Sequence, residues 1–119
     1  MKLEVYCDFT LMAAHHLPLL PESHQCHRLH GHNYKIRLYV TGPLGPKGWI
    51  IDYAEIADLW KEVVHDIADH RCLNDVDGLD NPTCENLAMW IYKRMKIPGC
   101  EVSRIEVQEE PNSGVVFTL

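Results

Sequence analysis

The stretch from His30 to Thr41 constrains this chain more than any other. From Tyr34 onward it alternates, with Tyr34, Ile36, Leu38 and Val40 in one parity and Lys35, Arg37 and Thr41 in the other, which is the period of a strand buried on one face. Carried backwards, the same parity sets His30 and His32 on the apolar side with Gly31 between them. Two residues apart on one strand face, Cβ atoms sit roughly 6–7 Å apart, so two ring nitrogens can converge on one ion. Gly31 carries no side chain on the opposite face and lets the backbone approach a neighbour closely. A second alternating run, Leu3, Val5, Cys7, Phe9 and Leu11 against Glu4, Tyr6, Asp8 and Thr10, leads to His15. Two neighbouring strands can therefore gather His15, His30 and His32.

Six of the eight histidines, His15, His16, His24, His27, His30 and His32, fall close together, and such clusters also occur as exposed, adventitious metal binders. Imidazoles facing a core are different, because they are costly unless something satisfies them. Three neutral imidazoles suit zinc, with a fourth position left for water or substrate, the layout of a catalytic site. Iron, nickel and cobalt remain compatible with the ligand type.

The remaining composition narrows the function classes. At 119 residues the chain is expected to form one domain, residues 1–119, with one core. A net charge of −6 without a basic stripe argues against a general nucleic-acid binder. Lys93, Arg94 and Lys96 cluster at the end of an expected helix, where they suit its dipole. With no charged-then-apolar leader and no long apolar run, neither secretion nor membrane insertion is signalled, and a cytoplasmic location is expected. The five cysteines, Cys7, Cys26, Cys72, Cys84 and Cys100, contain no C-x-x-C and fit reduced thiols better than a disulfide framework.

After the Gly/Pro-rich loop at 42–48, Asp52 is expected to cap a helix, with Glu55 completing a capping-box pattern. Ile56, Leu59, Val63 and Ile67 recur at helical spacing as its buried face, widened by Trp60 and Val64, and the helix fades near Asp69-His70-Arg71. Thr83 caps a second helix with the face Leu87, Ala88, Ile91 and Met95, stopped by Pro98-Gly99. Two last strands, Val102 to Glu109 and Val115 to Leu119, are joined by Pro111-Asn112-Ser113-Gly114. The order ββααββ predicts an α+β domain, an antiparallel four-stranded sheet with two helices on one face. Its unpaired sheet edges predict a homo-oligomer in which sheets of several subunits join.

These residues together resemble a known family. Ala13-Ala14-His15, Cys26-x-x-x-His30-Gly31-His32-Asn33-Tyr34, Gly48-Trp49-Ile50-Ile51-Asp52-Tyr53, Asp69-His70-x-x-Leu73-Asn74, Asn81-Pro82-Thr83-x-Glu85-Asn86-Leu87-Ala88 and Val107-x-Glu109 look like the 6-pyruvoyl-tetrahydropterin synthase superfamily. The segments run in order over nearly the whole chain. Three residues separate Cys26 from His30, as in the 6-carboxy-5,6,7,8-tetrahydropterin synthase branch, whereas the pyruvoyl synthases place five there.

The resemblance implies a tunnelling fold, with subunits joining their sheets into a barrel, and a hexamer. It implies zinc on His15, His30 and His32, with Cys26 as general base. A thiol near a divalent cation and imidazoles ionises more readily, which fits that role; the competing reading of Cys26 is an inert small residue. Asp69 and His70 would complete the acid–base set, Asp69 orienting His70, although their residue types alone would equally suit a polar helix end. Glu109 would anchor the pterin through two parallel N–H bonds, and Thr83 lies where the family supplies further pterin contacts. Glu110-Pro111 follows where a threonine is commoner, so Glu109 and Glu110 both stand as candidates for the anchor. The implied reaction converts 7,8-dihydroneopterin triphosphate to 6-carboxy-5,6,7,8-tetrahydropterin, acetaldehyde and triphosphate, a step of queuosine precursor synthesis. Pyruvoyl-type triphosphate elimination, a non-catalytic zinc- or pterin-binding module, and a cysteine hydrolase on Cys26, His70 and Asp69 remain as alternatives.

Overall fold

The computed structural model describes residues 2–119. Four antiparallel strands, β1 (Glu4–His15), β2 (His30–Thr41), β3 (Glu101–Glu110) and β4 (Ser113–Thr118), form one sheet in the order β1-β2-β3-β4. Between β2 and β3 the chain crosses one face as two helical units. The first is α1 (Tyr53–Trp60), a π-helical turn (Lys61–His65) and α2 (Asp66–Ala68), which follow one another without a break; the second is α3 (Cys84–Arg94). This is the α+β layout the sequence predicts.

The core lies between the sheet and the helices. Tyr34, Ile36, Leu38 and Val40 of β2 and Ile105 and Val107 of β3 are fully buried, as their alternation requires. From α3 and its C-cap residue Met95, the side chains of Leu87, Ala88, Ile91 and Met95 join this core. Asp52 caps α1 by accepting the Ala54 amide proton, and Thr83 caps α3 by accepting that of Asn86. The Glu55 amide donates to the Asp52 carbonyl at 3.0 Å, so Asp52 organises the first turn through side chain and backbone together.

Two expectations shift. The buried stripe of the first helix runs through Ile56, Trp60, Val64 and Ala68, while Leu59, Val63 and Ile67 are only partly buried. The π turn explains this, because its wider i→i+5 winding keeps residues four apart in line over the sheet. Trp60 stacks on Phe9 of β1 at 4.5 Å between ring centroids. The β3–β4 turn is also tighter than the four residues expected, because Ser113 and Gly114 already belong to β4. A Cβ at Gly114 would run into the Val107 carbonyl oxygen, so this strand pairing admits only glycine without a shift.

β1 and β4 are the edge strands. The segment after α2 covers the C-terminal end of β1: the His70 amide donates to the Met12 carbonyl and the Ala14 amide to the Arg71 carbonyl. Among the described residues, no helix is long and apolar enough to cross a membrane.

Candidate active site and metal centre

The register of β1 on β2 builds the site. His15 faces His30 directly across the strands, and His32, two residues along, faces Ala13, whose single methyl leaves room for the ring. The three imidazoles lie edge to face with centroids 4.5 to 5.1 Å apart. One ligand nitrogen from each falls within 4.8 Å of the others.

The outer nitrogens explain why those inner ones converge. Nδ1 of His15 donates to the Pro82 carbonyl at 2.8 Å, Nδ1 of His30 to the Arg28 carbonyl at 2.7 Å, and Nδ1 of His32 meets a Glu110 carboxylate oxygen at 2.9 Å. Carbonyl and carboxylate oxygens only accept, so each ring carries its proton on Nδ1 and, when neutral, turns a bare Nε2 lone pair inward. Fixing Nδ1 on an oxygen is how metal-binding histidines are oriented. Nε2 of His15 and of His30 are 2.9 Å apart, close to the ~3.3 Å that two nitrogens keep on one tetrahedral zinc with bonds near 2.0–2.1 Å. Lone pairs aimed at each other repel, and a shared cation turns that repulsion into two bonds. The donor set therefore fits a divalent metal.

His15 is 1% exposed. Burial holds its imidazole below the ordinary value, with His30 and His32 adding to the effect while the Pro82 carbonyl and Glu109 act against it. A neutral ring is what coordination needs. The buried Tyr34 hydroxyl lies 3.2 Å from His15 Nδ1, and burial, with Glu109 and Cys84 nearby, pushes its ionisation up.

Glu109 turns inward, as its parity with Ile105 and Val107 predicts. Its Oε1 is 3.5 Å from His32 Nε2 and 3.7 Å from His15 Nε2, beside the point where the three lone pairs meet. Glu110 instead serves the far side of His32. The irregularity in β3 between Gln108 and Glu110 lets consecutive carboxylates reach two sides of one ring.

A groove of about 770 Å³ opens at this end of the sheet, lined among others by His32, Glu109, Glu110, Lys35, Arg71 and His70. His70 enters it from a left-handed backbone, φ 59°, uncommon for a residue with a side chain and often found at functional sites. Its Nδ1 is hydrogen-bonded to Asp69 Oδ2, and the ring is 72% exposed while the Asp69 carboxylate is 14% exposed. Burial would raise the Asp69 carboxyl, but the Met12 amide and the His70 and His65 rings outweigh it and hold it below the usual carboxylate range.

Cys26 sits in the 3-10 turn Gln25–His27, half-buried, and its carbonyl accepts the Leu17 amide proton. The converging cluster consists of the three histidines without it. Burial, with Glu109 and Glu85 nearby, pushes the Cys84 thiol up to about 12, which keeps that cysteine protonated near neutral pH. The Thr83 hydroxyl accepts the Asn86 amide proton as the α3 cap, next to the Pro82 carbonyl that holds His15. Sequence reasoning missed Pro82 and Arg28 as carbonyl partners, since a backbone oxygen leaves no mark in residue type. It also missed His65, whose place four residues before Asp69 on a helix was the available signal.

Comparison with known proteins shows the family and the fold. The model of the family described as 6-pyruvoyl tetrahydropterin synthase matches residues 4–119. The chain is 33% identical over 121 residues to the 6-carboxy-5,6,7,8-tetrahydropterin synthase of Synechocystis sp., covering 95% of this chain and 91% of that one. It is 31% identical over 118 residues to the dihydroneopterin monophosphate aldolase of Pyrococcus furiosus, covering 97% and 96%. The 6-pyruvoyl tetrahydropterin synthase of Caenorhabditis elegans superposes with a TM-score of 0.87 at 23% identity, covering 100% of this chain and 96% of that one, a likeness of fold. By sequence over almost its full length, this chain belongs to the 6-pyruvoyl tetrahydropterin synthase family.

Proposed function

We propose that this enzyme is a zinc-dependent lyase that converts 7,8-dihydroneopterin triphosphate and one water to 6-carboxy-5,6,7,8-tetrahydropterin, acetaldehyde and triphosphate, supplying queuosine precursor synthesis in the cytoplasm. The observation that carries this reading is the convergence of three Nε2 lone pairs from His15, His30 and His32 beside the Glu109 carboxylate, in a chain that shares 33% identity with a 6-carboxy-5,6,7,8-tetrahydropterin synthase. Zinc held by the three histidines would supply Lewis acidity to the substrate side chain.

The chain's own groups divide the remaining work. Glu109 accepts two N–H bonds from the 2-amino and N3 edge of the pterin, and its place beside the histidines supports a ring held next to the metal centre. Cys26 Sγ takes a proton from the substrate side chain. His70, kept in orientation by Asp69, moves the second proton across the groove. His70 and His32 line the same groove, whereas Cys26 belongs to the loop between β1 and β2. We read that arrangement as a site shared across subunits, formed as open β1 and β4 edges pair into a closed homo-oligomer, a hexamer by family resemblance.

The test is incubation of zinc-loaded protein with 7,8-dihydroneopterin triphosphate, with mass analysis of the pterin and an acetaldehyde assay. A 6-carboxy product with acetaldehyde is expected, and Cys26→Ala should keep its zinc and lose turnover. A 6-pyruvoyl product overturns the carboxy assignment. The likeness to a dihydroneopterin monophosphate aldolase favours a second reading, in which the monophosphate ester is the substrate; turnover of that ester and not of the triphosphate would establish it.

A further inference from the structure

Asp69 is held by more groups than a carboxylate needs merely to orient one histidine. Its Oδ1 accepts the Met12 amide proton at 2.9 Å, and its Oδ2 is bonded to His70 Nδ1. A second imidazole reaches the same oxygen: His65 Nε2 lies 3.3 Å from Asp69 Oδ2. The backbone adds another hold, because the Asp69 amide donates to the His65 carbonyl at 2.9 Å even though Asp69 has already left the helix with extended dihedral angles.

The local fold puts His65 there. It is the last residue of the π-helical turn Lys61–His65, a deformation of the α-helix that is frequent at functional sites. Its other nitrogen, Nδ1, lies 3.3 Å from Asp66 Oδ1, and that carboxylate takes the Lys61 ammonium at 3.0 and 3.1 Å. The contact to Asp69 is an ion-pair distance, and a line of polar contacts runs Lys61, Asp66, His65, Asp69, His70, ending on the exposed imidazole in the groove.

We propose that His65 is a positioning residue for the Asp69–His70 pair: by holding Asp69 Oδ2 it fixes the carboxylate, and through it the direction in which the His70 ring enters the groove. The proposal rests on the acid–base role assigned above to His70. His70, with a largely exposed ring, has few packing contacts of its own, so the direction of its ring depends on how firmly Asp69 is held. The His65 imidazole on the preceding helix adds a third, ion-pair hold on the oxygen that His70 uses. A small displacement of a catalytic group is enough to cost a large factor in rate, because the transfer depends on alignment.

The experiment compares His65→Leu, which keeps bulk and loses the donor, with His65→Gln, whose amide N–H can reach the same oxygen. Zinc content, kcat, KM and the hydrogen exchange of the Met12 amide, which reports on Asp69 from its other oxygen, are measured for both. His65→Leu is expected to lower kcat about tenfold, with KM and zinc content unchanged and Met12 exchange several-fold faster; His65→Gln is expected to restore both readouts to within about threefold of the parent. Unchanged kcat and unchanged Met12 exchange in His65→Leu would mean a solvated surface pair and overturn the proposal. So would a loss of kcat that His65→Gln does not rescue or that leaves Met12 exchange untouched. If the parent enzyme turns over no pterin triphosphate while Met12 exchange responds as expected, the assigned reaction fails and the hold of His65 on Asp69 stands.

Discussion

His15 Nδ1 and the Pro82 carbonyl, 67 residues apart in the chain, meet at 2.8 Å in the interior and join the end of β1 to the residue before the α3 cap. One ring therefore orients a ligand nitrogen and braces the sheet against a helix.

Replacing it should fail in two ways. His15→Ala leaves the Pro82 carbonyl without its donor and is expected to cost the metal-free protein about 1–3 kcal/mol, besides abolishing metal binding. His30 is only half-buried and its partner Arg28 is exposed, so His30→Ala should lose the metal with a markedly smaller change in stability. Urea unfolding together with metal analysis separates the two effects.

Acid should unfold the metal-stripped protein earlier because of the same ring. Burial lowers the His15 value in the folded state below that of the unfolded chain, near 6.5. The unfolded state then binds more protons, so stability rises with pH across that interval. This contribution is fully present above about 6.5 and is lost as pH falls through the folded-state value. Melting temperature against pH should show the slope in the metal-stripped parent and a shallower one in His15→Gln.

The two adjacent carboxylates should separate in function. Glu110→Gln weakens the anchor on His32 Nδ1 and is expected to reduce metal affinity about 10–100-fold. Glu109→Gln should retain the metal and weaken pterin binding, because its carboxylate lies on the inner side of the same ring. Competition with a metal chelator and titration with a pterin measure the two properties independently.

Gly114→Ala should loosen the last strand. The new methyl meets the Val107 carbonyl oxygen and Gln108 Cα, both backbone, so β4 has to move. A loss of about 1–3 kcal/mol is expected, with faster amide exchange along β4 than along β2.

The amino-acid sequence determined those features that depend on short-range geometry. Period-2 alternation fixed which faces of β1 and β2 are buried and thereby turned His30 and His32 inward. Hydroxyl and carboxylate caps fixed where α1 and α3 begin, and helical spacing named the α3 face correctly. Only the tertiary structure decided the rest, because it depends on contacts between segments distant in the chain. Strand register set His15 opposite His30, the irregularity in β3 let Glu110 reach the outer side of His32 while Glu109 keeps the inner, and the π turn narrowed the first helix's buried stripe to Ile56, Trp60, Val64 and Ala68. The backbone carbonyls of Pro82 and Arg28, which select the histidine tautomers, belong to every residue alike, so no pattern of side chains could have announced them.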